Sequence, residues 1–449
     1  MSGATALAAE APERTATRRR YRRVLSASFI GTTVEYYDFY LYATAAALVF
    51  STQFFAAGTS PVVGLIASFA TYGVGFVARP IGGVLAGHLG DRVGRKQLLV
   101  YSLLLMGLAS TLIGVLPGYA TIGVWSVVGL VFLRLLQGFA AGAEWGGSAL
   151  LSVEHAPAGR RGLFGSFTQM GSAGGMLLAT GIFTAVRFGF GEQVFLAWAW
   201  RLPFLFSAVL VAVGLAIRLR LEDAQEFKAV VAEGKTERFP ILTVIRHHPR
   251  GVFVAAGLRL VQPALYSILT TYILTYLLTK RGNSGPGLEA VLIVSALSVA
   301  STPFWGWVSD KVGRRPLTIG SAIGIAILIW PFFAFLDNGP LYLLPVVVGI
   351  GMNVFHDSIY GPQAAWFSEQ FPAEVRYTGI SLGYQIGSIF SVGLTPLLAV
   401  WFVYLGHGSP WILCLYIGFY AVLSIIAAVL AKDPTAARVA TERRARRLA

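Results

Sequence analysis

Seven ionisable residues lie in stretches of the chain that are otherwise apolar enough to cross a membrane. A charged side chain at the centre of a membrane helix costs at least about 2.5–3.5 kcal/mol, so such residues mark the paths of ions and ligands. Carboxyl groups can carry protons, and guanidinium groups can hold anions. The set comprises four acids and three arginines: Glu35, Asp38, Arg79, Arg134, Glu144, Arg259 and Asp357.

Glu35 and Asp38 are three residues apart and therefore share one face of a helix. An arginine paired with such an acid is released when the acid takes up a proton, and it can then hold a ligand carboxylate through two parallel hydrogen bonds. We expect Arg134 and Arg259 to contact an organic anion in this way. The expected proton carriers are Asp38, Glu35, Glu144 and Asp357. In the alternative interpretation, these groups are structural ion pairs between helices.

Uncharged polar side chains in the same stretches could orient a hydroxylated ligand, because amides and phenols both donate and accept hydrogen bonds. The candidates are Tyr37, Tyr40, Gln137, Gln169, Gln262, Tyr266, Asn353, Tyr384 and Gln385. For each tyrosine, packing or a place at the membrane interface is the alternative. With a single cysteine, no metal-ligand spacing and no nucleophile pattern, the sequence predicts no metal, no cofactor and no enzyme.

The composition predicts that a membrane surrounds these residues. Of 449 residues, 55% are hydrophobic and only 12% are charged, which excludes a cytosolic enzyme and a secreted disulfide protein. A span needs about 20 mostly apolar residues, and it must be helical because lipid cannot satisfy an open backbone. The sequence therefore predicts an all-α membrane protein with twelve spans, at 26–50, 61–86, 98–116, 121–152, 162–188, 200–219, 251–279, 287–308, 317–336, 341–367, 377–405 and 409–431.

The positions of Lys and Arg predict the orientation of the chain in the membrane. With the N-terminus inside, 28 of the 35 basic residues fall on the cytoplasmic side. The net charge of +14 is then a topology signal and an attraction for anionic lipid, so no nucleic-acid partner is expected. We expect a monomer in a bacterial-type inner membrane with both termini in the cytoplasm.

One long polar interruption divides the spans into two groups of six. The predicted units are an N-terminal tail (1–25), an N-terminal six-helix bundle (26–219), a cytoplasmic linker (220–250), a C-terminal six-helix bundle (251–431) and a basic C-terminal tail (432–449). The pattern Gly-x-x-x-Asp-(Arg/Lys)-x-Gly-Arg-(Lys/Arg) at 87–96 recurs at 306–315, and Glu-x-x-Pro-x-x-x-Arg at 154–161 recurs at 369–376. A parallel repeat of this kind is the plan of secondary transporters that rock around a midplane site.

The repeated loops lie on the predicted cytoplasmic face, where they could form an ion-pair gate between the halves. A carboxylate there can meet the N-terminal amides of a helix and a nearby guanidinium. Isolated surface pairs are weak, but a duplicated network can bias a two-state equilibrium. The expected gate residues are Asp91, Arg92, Arg95, Glu154, Arg161, Asp310, Arg314, Glu369, Arg376 and Arg79. The alternative is a set of solvated basic loops.

The loops at 87–96 and 306–315 resemble the signature loop of the major facilitator superfamily, and Arg-x-x-Gln-Gly at 134–138 resembles its second motif. The segments 35–39, 79–83, 137–147 and 200–204 narrow the similarity to the metabolite:proton symporter branch. Within that branch the sequence is most similar to shikimate permeases, and relatives move α-ketoglutarate, citrate, proline and betaine. Gln262 departs from this pattern, because an acidic residue is expected there in shikimate permeases.

The resemblance implies twelve helices in two bundles around a central cavity, and proton-coupled import of a small organic acid. Four alternatives stay open: export by proton antiport, uptake of a zwitterion such as proline or betaine, a membrane sensor that binds a metabolite without moving it, and an intramembrane enzyme. Cavity arginines disfavour cationic drugs, the tails are short for a sensor, and no catalytic constellation is present.

Overall fold

The computed structural model describes residues 25–26, 29–93, 95–142, 150, 152–154, 156–157, 159–219, 240–372, 375–435, 438 and 441. This part of the chain is helical, without β-strands. Twelve long helices follow one another: α1 (29–48), α2 (Pro61–Val93), α3 (Arg95–Val115), α4 (Val124–Gly142), α5 (Arg161–Phe190), α6 (Leu202–Leu219), α7 (Pro249–Arg281), α8 (Gly285–Val312), α9 (Arg314–Asn338), α10 (Leu341–Ser368), α11 (Arg376–Leu405) and α12 (Trp411–Leu430).

Ten of these helices are long and apolar enough to cross a membrane in the described part of the chain. Helices α1 and α3 are not among these ten, for different reasons. In α3 the apolar stretch is short, at Val100–Val115. Helix α1 carries Glu35, Asp38 and several tyrosines, and almost all of it is buried among other helices, so it does not need an apolar surface. The all-α architecture predicted from the sequence is confirmed, and twelve helices agree with it.

The two groups of six helices meet along α5, which packs on α8 and α10, and along α2, which packs on α11. Small residues allow these crossings. A Cβ atom added to Gly306 of α8 would lie 2.7 Å from the carbonyl oxygen of Gly162 in α5. A Cβ added to Gly73 of α2 would lie 2.9 Å from the carbonyl oxygen of Gly393 in α11. Membrane helices approach this closely where small residues meet.

Three helices of the second group contain short π-helical turns, at Ile268–Tyr272 in α7, Ile350–His356 in α10 and Ile389–Gly393 in α11. A π turn inserts an extra residue into the helix and rotates the side chains that follow it, and such turns are frequent at functional sites. All three lie in helices that contribute residues to the central cavity described below.

Candidate functional site

A small closed cavity lies between the two groups of helices. Its volume is about 30 Å³, which is room for about two water molecules. The lining residues come from both groups: Tyr36, Phe39, Tyr40, Tyr72, Phe76, Arg79 and Ser172 from the first, and Arg259, Gln262, Pro263, Tyr266, His356, Tyr360, Tyr384 and Val392 from the second. Two of them are arginines, and none of the described lining residues is Asp or Glu. The cavity is therefore aromatic and electropositive.

Arg259 reaches the cavity because α7 is interrupted at that residue. The helix ends at Leu258 and resumes at Val261. Pro263 explains the break, since a proline has no amide hydrogen and its ring clashes with the carbonyl four residues earlier, which is that of Arg259. The side chain is buried, and its guanidinium lies 3.9 Å from the centre of the Tyr384 ring.

The guanidinium of Arg259 donates to neutral acceptors in the described part of the chain. Its Nη1 donates to the side-chain oxygens of Gln262 (3.0 Å) and Gln363 (2.6 Å), its Nη2 to the hydroxyl of Tyr384 (2.5 Å), and its Nε to Ser388 (3.3 Å). None of these partners carries a compensating negative charge. Among the described residues, the guanidinium of Arg259 is therefore held in place by hydrogen bonds and not by an ion pair.

Arg79 is a second cation in the cavity wall, on the other side of it. The sequence assigned this residue to the gate, whereas its guanidinium lines the cavity, 3.9 Å from the centre of the Phe39 ring and 4.7 Å from that of Phe76. The side chain is 4% exposed, and its Nε has no hydrogen-bond partner among the residues that the structure describes. A buried guanidinium normally has acceptors for its hydrogens, so this one is suited to an anion.

Arg134 lies behind the cavity wall. It is fully buried, with its guanidinium within 4.2–4.8 Å of the ring centres of Phe39, Tyr42 and Tyr72. Its Nη1 donates to Gln137 (3.0 Å), and Gln137 in turn donates to Ser110 (2.7 Å). In this conformation Arg134 and Gln137 do not line the cavity, and a direct ligand contact at either residue requires movement of the aromatic wall.

Three of the four acids in the predicted set are also withdrawn from the cavity. Asp38 is buried and accepts a hydrogen bond from Ser207 at 2.5 Å. Glu35 is buried one turn earlier on α1. Asp357 follows the π turn of α10 and accepts from Ser301, from Asn353 (3.3 Å) and from the ring of His356 (2.8 Å). Glu144 lies outside the described residues.

The predicted polar contacts divide into two groups. Tyr40, Gln262, Tyr266 and Tyr384 line the cavity. Outside the lining, Tyr37 donates to the carbonyl of Pro203 (2.8 Å), Gln169 donates to that of Tyr360 (3.3 Å), Asn353 bonds to Ser298 (2.8 Å), and Gln385 is buried. The Gln169 bond joins the two groups of helices, so this residue has a place at their interface.

The end of the bundle that carries the repeated loops is closed by contacts between the two halves, and we call these residues the gate. Asp310, near the end of α8, accepts from the backbone amides of Gly162 (2.8 Å) and Leu163 (3.0 Å), which begin α5. The exposed pair Glu154 and Arg376 lies 3.8 Å apart across the same boundary. The Asp310 contact uses the positive end of the α5 helix dipole.

A second part of the gate lies within the C-terminal half. Arg314 is buried, forms an ion pair with Glu369 and lies 3.6 Å from Asp310. Burial raises the pKa of the Glu369 carboxyl, while the Arg314 guanidinium acts in the opposite direction. Arg161 is exposed at the start of α5. The side chains of Asp91, Arg92 and Arg95, and the linker residues 220–239, lie outside the described part of the chain.

The opposite end of the bundle is closed as well. Arg187 of α5 donates to Ser284, which precedes α8 (2.9 Å), and Thr275 of α7 donates to the carbonyl of Ala47 in α1 (3.3 Å). Contacts between the halves therefore bridge both ends of the bundle, and the cavity of about 30 Å³ is too small for a metabolite in this conformation. A metabolite-sized ligand can enter only when one end opens.

Several cavity residues were not among the sequence candidates: Tyr36, Ser172, His356 and Tyr360. Gln363, which accepts a hydrogen bond from Arg259, was not among them either. His356 is the most informative of them, because its ring bonds to both Gln262 and Asp357. Its position beside an intramembrane acid was visible in the sequence. The sequence did not reveal that the ring of His356 would contact Gln262, which lies on a different helix.

The fold and the cavity together match one class of membrane protein, and comparison with known sequences names it. A sequence profile of the Major Facilitator Superfamily matches residues 28–391. The chain belongs to that superfamily, whose members are membrane transporters rather than enzymes.

Curated relatives cover most of the chain. It is 38% identical over 438 residues to the shikimate transporter of Escherichia coli, covering 96% of this chain and 98% of that protein. It is 31% identical to the proline/betaine transporter of Salmonella typhimurium, covering 86% of this chain and 78% of that protein. A crystal structure of a D-xylose-proton symporter superimposes with a TM-score of 0.69 at 19% identity, over 91% of this chain and 96% of that one, which supports the fold.

Proposed function

We propose that this transporter imports a small organic acid together with protons, by alternating access. The observation that carries the proposal is the charge of the cavity: Arg79 and Arg259 line it from opposite halves, and no described lining residue is an acid. A carboxylate could bind Arg79, whose Nε has no acceptor in the described part of the chain, and draw Arg259 toward it. An anion held by both halves favours the closed state of both ends, because it pulls the halves together.

The tyrosines give the same cavity a capacity for hydroxylated ligands. Tyr36 and Tyr384 share a hydrogen bond across the two halves (2.8 Å), and Tyr40 bonds to Ser172. These hydroxyl groups can exchange their partners for the hydroxyls of a ligand with little change in the number of hydrogen bonds. A hydroxylated carboxylic acid such as shikimate has both a carboxylate for the arginines and hydroxyl groups for the tyrosines.

We assign the proton to Asp38, with Glu35 beside it on α1. Asp38 is buried and accepts from a neutral donor, the hydroxyl of Ser207, so holding its charge is costly and a proton is readily accommodated. Arg134 lies on the neighbouring helix α4, behind Phe39, which also contacts Arg79. Protonation of Asp38 would therefore change the electrostatic attraction between Asp38 and Arg134. Arg134 would transmit this change to the cavity through the ring of Phe39.

The direction of transport follows from the expected orientation, in which the gate faces the cytoplasm. Opening the gate would then release the cargo inside, and opening the opposite end would admit it. Uptake by purified protein in liposomes tests this: an inward proton gradient should drive concentrative entry of the acid. Expulsion under the same gradient would establish antiport, and a bound ligand without flux would establish a sensor.

One observation favours a second candidate substrate. The rings of Tyr36, Tyr40, Tyr266 and Tyr360 surround the cavity, and rings arranged in this way bind quaternary ammonium groups. Betaine carries such a group together with a carboxylate that an arginine could hold. A panel of shikimate, α-ketoglutarate, citrate, proline and betaine, tested for thermal stabilisation of the protein, separates the two candidates.

A further inference from the structure

We propose that His356 takes up a proton when an anion binds at Arg259, and that the side-chain amide of Gln262 couples the two events. This inference rests on the proposed function, since it assigns a proton site within the same cavity. It is separate from the assignment of Asp38, which lies in the other half of the molecule.

Four side chains form a continuous line in the C-terminal half. Arg259 Nη1 donates to Gln262 Oε1 at 3.0 Å. Gln262 Nε2 contacts His356 Nε2, and His356 Nδ1 lies 2.8 Å from Asp357 Oδ1. All four residues are at least 96% buried. Arg259, Gln262 and His356 line the cavity, and Asp357 lies behind them.

The donors and acceptors in this line determine the protonation state of the ring. A guanidinium can only donate, so the oxygen of the Gln262 amide must face Arg259 and its nitrogen must face His356. The amide nitrogen donates, so His356 Nε2 must accept. The ring is then neutral with its proton on Nδ1, where it is donated to the carboxylate of Asp357.

A second proton on the ring reverses this pattern. Nε2 becomes a donor and requires an acceptor, which Gln262 can supply by rotating its amide so that the oxygen faces His356. Arg259 then loses the Gln262 acceptor and keeps Gln363 for Nη1. One N–H of the guanidinium becomes available to a ligand carboxylate at the cavity wall.

Electrostatic repulsion between Arg259 and a protonated His356 also couples the anion to the proton. The positive charge of Arg259 opposes a second positive charge on His356, and an anion bound at Arg259 removes that opposition. The proton and the anion therefore favour each other, and by linkage each tightens the binding of the other by the same factor. This positive coupling is what symport requires.

The other groups around His356 are compatible with this role. The titratable and charged side chains that face it are Asp357 and Tyr360 on α10, and Tyr266 and Arg259 on α7, with Tyr40 of α1 stacked against Tyr266. The neighbouring helices α8 and α9 contribute the serines Ser301 and Ser321. Asp357 is thus the acid that can stabilise a charged ring.

The test measures proton uptake on ligand binding, with purified full-length protein in weakly buffered detergent containing a pH indicator. Shikimate is the probe, and α-ketoglutarate is used in a parallel titration. The wild type and His247→Gln, a control at an exposed histidine, should take up close to one proton more per bound anion than His356→Gln does. The affinity of His356→Gln for the anion should also change less with pH, because only Asp38 then remains to couple a proton to the anion.

Gln262→Met is the second variant, because it leaves His356 in place and removes the coupling. The affinity of Gln262→Met for the anion should lose as much of its pH dependence as that of His356→Gln. Wild-type proton uptake in either variant that binds the acid would overturn the role of His356 while leaving the proposed function intact. If neither acid binds the wild type at any pH, the proposed substrate class is wrong, and the inference is wrong with it.

Discussion

The carboxylate of Asp310 in the C-terminal half accepts a hydrogen bond from the backbone amide of Gly162 in the N-terminal half, at 2.8 Å. The two residues join the end of α8 to the start of α5. A charged group bound to helix N-terminal amides contributes more than a neutral surface contact. This contact therefore favours the conformation in which the gate is closed.

Asp310→Asn should shift the protein toward the gate-open conformation. A hydrogen bond to a charged group contributes about 1.5–3 kcal/mol, so the open-to-closed ratio should rise by about 10–100-fold. Distances between spin labels across the gate measure this shift. Glu192→Gln is the control, since Glu192 pairs with Arg187 at the other end of the bundle. An unchanged distance distribution in Asp310→Asn would contradict the assignment.

Gly306→Ala should also open the gate. Its new Cβ would lie 2.6 Å from Ser166 Oγ and 2.7 Å from the carbonyl oxygen of Gly162, so α5 and α8 would have to separate. Gly320→Ala in α9 is the matched control, because no atom lies within 4 Å of its added Cβ. Labelling rates of a single cysteine placed below the gate should rise in Gly306→Ala alone, and equal rates in the two variants would refute the prediction.

Glu369→Gln should raise the melting temperature at neutral pH, and its effect should disappear on acidification. Burial raises the pKa of the Glu369 carboxyl even though Arg314 pairs with it, so the neutral form of the residue is the more stable one in the folded protein. Glutamine resembles that neutral form, whereas the wild-type residue is charged at neutral pH. As the pH falls the wild type takes up the proton, and the two melting temperatures should converge above pH 4.5. A lower melting temperature of the variant at neutral pH would show that the ion pair with Arg314 outweighs the cost of burial.

Arg79→Lys and Arg259→Lys should each weaken binding of the transported acid by about 10–100-fold, because lysine loses the bidentate geometry of the guanidinium. Arg134→Lys should reduce uptake with a smaller effect on affinity, since Arg134 lies behind Phe39. Arg250→Lys, an exposed position, is the control. Isothermal titration separates affinity from flux. Unaltered affinity in the Arg79 and Arg259 variants would remove the basis for an anion site.

Asp38→Asn should lower the accumulation of the acid under a proton gradient but leave counterflow exchange, because asparagine cannot take up and release the proton assigned to Asp38. Uptake and exchange are measured in the same liposomes. Asp337→Asn is the control, since Asp337 accepts from Tyr276 away from the cavity. If Asp38→Asn accumulates the acid as the wild type does, another residue carries the proton.

Much of the fold could be predicted because the membrane imposes simple rules. Apolar segments of sufficient length must be helices, and the repeated loops divide them into two equivalent groups. The sequence also identified the intramembrane charges, since each is costly enough to need a function or a partner. The repeated loops suggested that a carboxylate would meet the N-terminal amides of a helix, and Asp310 makes such a contact.

The rotation of each helix was decided only by the tertiary structure. Arg134 and Arg259 were both expected to contact an anion, yet one is enclosed by Phe39, Tyr42 and Tyr72 and the other reaches the cavity. Successive helical residues point about 100° apart, so a break at Pro263 or a single π turn redirects the side chains that follow it. Such local departures depend on packing between distant helices, which the order of residues alone does not reveal.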